Sequence, residues 1–214
     1  MIKKILIVFF WLAFFGFFFL MAVPKFIDFI KHGFSEYMGD TWMHKKIWFL
    51  LHMSFGTVVY ISGLIQFTPY IRNNYKWFHR RLGKVYILAS LICIITLFII
   101  VPGGLCVPCR ISNYIVTSLW MIFVLSGYYF IRQGRIVAHQ RMMVSGYICA
   151  AYFVTVRIVD KFAMPFFKSI TKTEDQALLV SDISVWFIPL AIFWLYWWIK
   201  DKRVGSHITV SSIR

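Results

Sequence analysis

The chain has 214 residues, 60% of them hydrophobic and 20% aromatic but only 14% charged, with a mean hydropathy of +0.73 and a net charge of +15. A soluble domain carries about 25% charged residues, and here the apolar residues come in long runs. The pattern excludes an ordinary water-soluble fold and predicts one all-α integral membrane domain over residues 1–214.

Six spans are predicted, at about 5–23, 47–66, 84–101, 114–131, 142–160 and 183–199. The first follows Lys3 and Lys4. It is too long for a signal-peptide core and has no small-residue cleavage site before Pro24, which predicts a retained helix. Residues 1–46 then form a helix plus an outer segment. Residues 47–163 form a four-helix core, and 183–199 a closing helix. Pro24, the Pro102-Gly103-Gly104 run, Gly134 and Pro165 punctuate the breaks, and Pro189 lies within the last span.

The charge follows the spans. The segments 1–4, 67–84, 132–141 and 200–214 hold fourteen of the 23 Lys and Arg residues and a single acid, Asp201. The remaining nine bases and seven acids lie in the alternate segments, except Arg157 and Asp160, which fall near the end of the fifth span. By the positive-inside rule the first set faces the cytoplasm, so both termini lie inside a bacterial cytoplasmic membrane. The basicity thus reads as a topology signal with lipid contact, and not as nucleic-acid binding.

Polar residues recur along the spans at bundle-seam spacing. The second span carries His52, Gly56, Val59, Gly63 and Gln66. The third carries His79, Gly83, Tyr86, Ser90 and Cys93. The fifth carries His139, Met143, Gly146, Ala150, Phe153 and Arg157. Small residues between polar ones suit close helix contact in lipid. Depth separates two sites: an inner one with His79, His139 and Gln66, and an outer one with His52, Arg157 and Asp160. His139 and Arg157 are eighteen residues apart, roughly 27 Å at the helical rise, about one hydrocarbon thickness. A short likeness between His79-Arg80-Arg81 and His139-Gln140-Arg141 points to two related hairpins.

Histidines on neighbouring helices are a means of holding a b-type haem, each ring giving one axial nitrogen. His79 and His139 are the candidate ligands of the haem iron, with Arg81 and Arg141 placed for anionic groups such as propionates. The same basic clusters also fit a role as headgroup anchors. Met38, Met43, His44, His52 and Met53 offer a weaker copper-type set. Cys106-x-x-Cys109 fits a bridge across a short outer turn, or thiol–disulfide exchange with a quinone. No H-E-x-x-H, P-loop, dinucleotide fingerprint or nucleophile elbow occurs.

From His52 to Pro165 the chain resembles a bacterial membrane family known as domain of unknown function 2306. The resemblance rests on Leu51-His52, Gln66-Phe67, the segment Phe78-His79-Arg80-Arg81-Leu82-Gly83-Lys84-Val85-Tyr86, then Gly134, His139, Arg141-Met142-Met143 and Val156-Arg157. Lys84 and Gln140 stand where that family commonly has Arg. The resemblance implies a helical membrane domain with His52, His79, His139 and Arg157 as working positions, and supplies no activity. The layout is also similar to four-helix cytochrome b modules of the b561 type. The expected function is haem-linked electron or proton transfer with a quinone or other redox partner. The alternatives are a transporter or assembly factor binding a solute, lipid or metal, and thiol exchange through Cys106 and Cys109.

Overall fold

Inside a bilayer no water satisfies backbone groups, so apolar runs of this length close their own hydrogen bonds as helices. The computed structural model describes residues 46–103 and 106–211, and before them only positions 16, 19, 20, 23, 24 and 27. The chain divides into two units, Met1–Ile47 and Trp48–Arg214, and the second carries the fold discussed here. The expected span at 5–23 and the Met38, Met43 and His44 group lie outside the described residues, save for the isolated positions.

Among the described residues there is no strand. The helices are α1 (Lys46–Phe67), α2 (Pro69–Asn74), α3 (Lys76–Ile100), α4 (Arg110–Arg132), α5 (Ile136–Phe162), α6 (Met164–Ile170) and α7 (Glu174–Ser211). Among the described residues, five segments are long and apolar enough to cross a membrane: Ile47–Phe67, Lys76–Ile100, Arg110–Arg132, Ile136–Phe162 and Glu174–Arg203. They match the five later spans expected from hydropathy, but four begin earlier. The helices run on through interfacial charges that an apolar run leaves out. His79 and His139 therefore sit within helices, each about one turn from its start.

Short connections make neighbours antiparallel. Pro69 and Pro165 occupy first-turn positions of α2 and α6, where a missing N–H costs nothing. Between α4 and α5, Gly134 adopts φ +72° while Gly134 N–H and Arg135 N–H donate back to Ile131 O and Phe130 O. That left-handed stop ordinarily calls for glycine. α4 and α5 pack most closely, through glycine on both sides. A Cβ on Gly146 would approach Val124 Cγ2 to 3.3 Å, and one on Gly127 would meet Met143 Sδ at 2.6 Å. α1 meets α5 at Gly63, where a Cβ would collide with the Tyr147 ring.

The core is built on Trp120, Tyr86 and Tyr152, with Ile94, Val116, Val124, Cys93 and Cys149 enclosed around them. It extends to Trp186 and Leu190 of α7, so the closing helix is part of the packed interior, beyond the four helices of the expected core. On α5 the most buried stripe is Ser145, Cys149, Tyr152 and Val156. This lies one position off the expected seam. The offset turns Arg157 outward, with 62% of its side chain exposed.

Candidate functional site

At the end of the bundle where α1 finishes and α3 and α5 begin, three of the expected residues come together. Gln66 Nε2 donates to the His79 carbonyl at 2.8 Å, tying the end of α1 to the first turn of α3. His79 lies within electrostatic reach of His139, and of the guanidinium groups of Arg72 and Arg80. His139 Nδ1 is 2.8 Å from Gly127 O. A carbonyl only accepts, so Nδ1 carries a proton, and in the neutral ring Nε2 then keeps its lone pair. His79 Nδ1 is buried without a hydrogen-bond partner among the described residues.

The two arginines assigned to this end are engaged with other partners. Arg81 is exposed, its guanidinium 4.1 Å from the Trp77 ring centroid. Arg141 makes a two-pronged pair with Asp201 of α7, at 2.8 and 2.7 Å, and lies over Trp197. Arg141 and Asp201 clamp α5 to the end of α7. Arg72 and Arg80, which seam spacing does not single out, are the cations whose charge reaches His79.

Between the two ends runs a buried polar band. Tyr86 OH, Ser90 Oγ, Thr117 Oγ1 and Trp120 Nε1 are enclosed without hydrogen-bond partners among the described residues, with Ser90 and Trp120 flanking the tyrosine. Groups enclosed this way are where internal waters bind. Tyr147 lies beside Tyr86 and donates to the Tyr60 carbonyl at 3.1 Å.

At the opposite end the expected outer residues take different partners. His52 Nδ1 is 3.3 Å from Thr96 Oγ1 of α3, with its ring edge-on to Phe153. Arg157 and Asp160 pair loosely at 3.9 Å near the surface. The buried acid of this end is Asp182, 4% exposed, which the sequence reading left in a loop. The Tyr152 hydroxyl stands 2.5 Å from Asp182 Oδ1 and 3.1 Å from Asn113 Oδ1. Asp182 Oδ2 has no hydrogen-bond partner among the described residues. Ser112 stands beside it and accepts from Trp186 Nε1 at 3.0 Å. The signal was present: an acid in an otherwise apolar run is costly in a membrane and marks function or a partner.

A family model described as predicted membrane protein (DUF2306) matches residues 49–198. The chain belongs to this family. No curated protein and no solved structure matches it. The DUF2306 match runs from α1 through most of α7. It takes in both histidines, Arg72, Arg80 and the Tyr152–Asp182 contact, and stops short of Asp201. Cys106 and Cys109 form a disulfide just before α4, with the Cys109 carbonyl accepting from Asn113 Nδ2 at 3.0 Å. Among the described residues of this DUF2306 protein, no group of three or more His, Cys, Asp or Glu could hold a metal ion. An axial histidine pair needs only two.

Proposed function

We propose that this membrane protein binds a b-type haem between His79 and His139 and takes part in single-electron transfer at that end of the bundle. The observation that carries the reading is that two imidazoles from different spans lie within electrostatic reach of each other, one of them with its Nδ1 on Gly127 O, which leaves Nε2 free of that bond. A backbone bond of this kind orients a ligating ring. The donor set fits the group: two ring nitrogens for iron, and Arg72 and Arg80 for carboxylates. When bound, haem b supplies reversible one-electron chemistry. The chain's own work is then positioning. Gln66 fixes the turn that carries His79, Gly127 fixes His139, and the packed α4–α5 pair holds the second ring against displacement. A quinone or a redox protein is the natural partner class.

The uneven charge supports the remaining setting: a bacterial cytoplasmic membrane, a sixth span at 5–23, and both ends of the chain inside. The test of the haem is a reduced-minus-oxidised absorption spectrum of protein purified from haem-replete cells. Soret and α bands are expected, and either His79→Ala or His139→Ala is expected to abolish or broaden them. A colourless wild-type protein overturns the proposal.

A second reading has one observation in its favour. An open hollow of about 440 Å³ at the start of α5 is lined by Ile136, Met142 and Trp194 together with Arg135 and Arg141. An apolar wall under two cations suits an anionic lipid. Thermal stabilisation by anionic but not zwitterionic lipid, lost in Arg135→Ala, would support it.

A further inference from the structure

The three oxygens at the Asp182 end pose a problem of proton count. Asn113 Nδ2 donates to the Cys109 carbonyl at 3.0 Å, so its Oδ1 is the atom facing Tyr152. Tyr152 then stands between two acceptors, Asn113 Oδ1 at 3.1 Å and Asp182 Oδ1 at 2.5 Å, with one proton to give. Both contacts are satisfied together only when Asp182 itself brings a proton. Its O–H donates to the tyrosine oxygen, and the tyrosine O–H donates to Asn113. Asp182 Oδ2 is then the carbonyl oxygen of a neutral acid, which bears enclosure without a partner far better than a carboxylate oxygen does.

We propose that Asp182 is a proton-binding site, with the Tyr152 hydroxyl as the rotor that follows its state. When the proton leaves, the tyrosine O–H swings from Asn113 Oδ1 to Asp182 Oδ1, and no heavy atom has to move. The charged groups in electrostatic reach, Arg157 and Asp160, both come from α5, as does the neutral Tyr152. α4 faces the acid with the neutral Ser112 and Asn113. Asp160, 34% exposed, is the receiver on the way to water. The proton passes from the Asp182 carboxyl to the Asp160 carboxylate, one negative charge moves the other way, and Arg157 stays in reach of both acids. The ligand is the proton alone. The site stands apart from the histidine pair and needs no haem.

Infrared spectroscopy of the full chain in lipid nanodiscs tests this directly. At neutral pH the wild type is expected to show a protonated-carboxyl C=O band that downshifts in D2O and is absent from Asp182→Asn. Tyr152→Phe keeps the acid, removes its hydrogen-bond acceptor and is expected to shift the same band upward. Asp160→Asn is expected to slow its exchange into D2O severalfold. If Asp182→Asn removes a carboxylate stretch instead, or if Tyr152→Phe leaves the C=O band in place, the proposal is wrong. The readout is independent of iron, so it succeeds or fails separately from the haem reading.

Discussion

At the scale of single residues, His139 shows how a backbone oxygen chooses chemistry. Gly127 O fixes the tautomer, and Gly127 is also where α5 comes nearest, with Met143 against it. Gly127→Ala is therefore expected to push the α4 and α5 backbones apart and cost about 1–3 kcal/mol, the range for overpacking a filled contact. Thermal denaturation in detergent would measure it, and an unchanged midpoint would contradict the packing. Arg72→Ala and Arg80→Ala are expected to lower the midpoint potential of a bound haem by tens of millivolts. Removing a nearby cation favours the more positive, oxidised state. His52, His79, His139 and Gln66 were legible because polar groups are rare in apolar runs. Asp182 was missed because the apolar count began at 183, one residue too late. Arg157 was misplaced because a register error of one position turns a helical residue by a quarter of the circumference.

At the scale of elements, the later five spans were legible in length and order, since hydrocarbon thickness sets both. Their starts were not, because Lys76, Arg80 and Arg141 are interfacial residues that helices run through without a sequence signal. The Gly134 stop was legible, and its φ of +72° gives it a testable weight. Gly134→Ala is expected to destabilise the α4–α5 hairpin by about 1 kcal/mol. Gly63→Ala is expected to cost more, about 1–3 kcal/mol, because the Tyr147 ring must give way. A stability ranking with Gly134→Ala as the more damaging of the two would contradict the α1–α5 contact. What the sequence could not convey is that α7 joins the core. Trp186 reaches Ser112, and Asp201 reaches Arg141, across separations of 74 and 60 residues that no local pattern encodes.

At the scale of the whole molecule, alternation of the spans puts α2, the α4–α5 turn and the end of α7 on one side of the membrane, and the disulfide turn and α6 on the other. The excess of Lys and Arg predicts that the first side faces the cytoplasm. In intact cells, Asn74→Cys and Gln133→Cys are expected to resist a membrane-impermeant maleimide until permeabilisation, whereas Lys172→Cys labels at once. All three positions are exposed. The reverse pattern would invert the topology and place the histidine pair outside. The two ends then carry different equipment, imidazoles and cations at one and a buried acid at the other, joined by the polar band around Tyr86.

The central claim is that His79 and His139 ligate one iron. Low-temperature EPR of the oxidised, purified protein, with iron counted per chain, tests it most directly. About one iron per chain and a low-spin ferric signal of two imidazole ligands are expected, changing to a high-spin signal in His139→Ala. Iron-free protein from haem-replete cells, or a low-spin signal that survives both histidine substitutions, would contradict it.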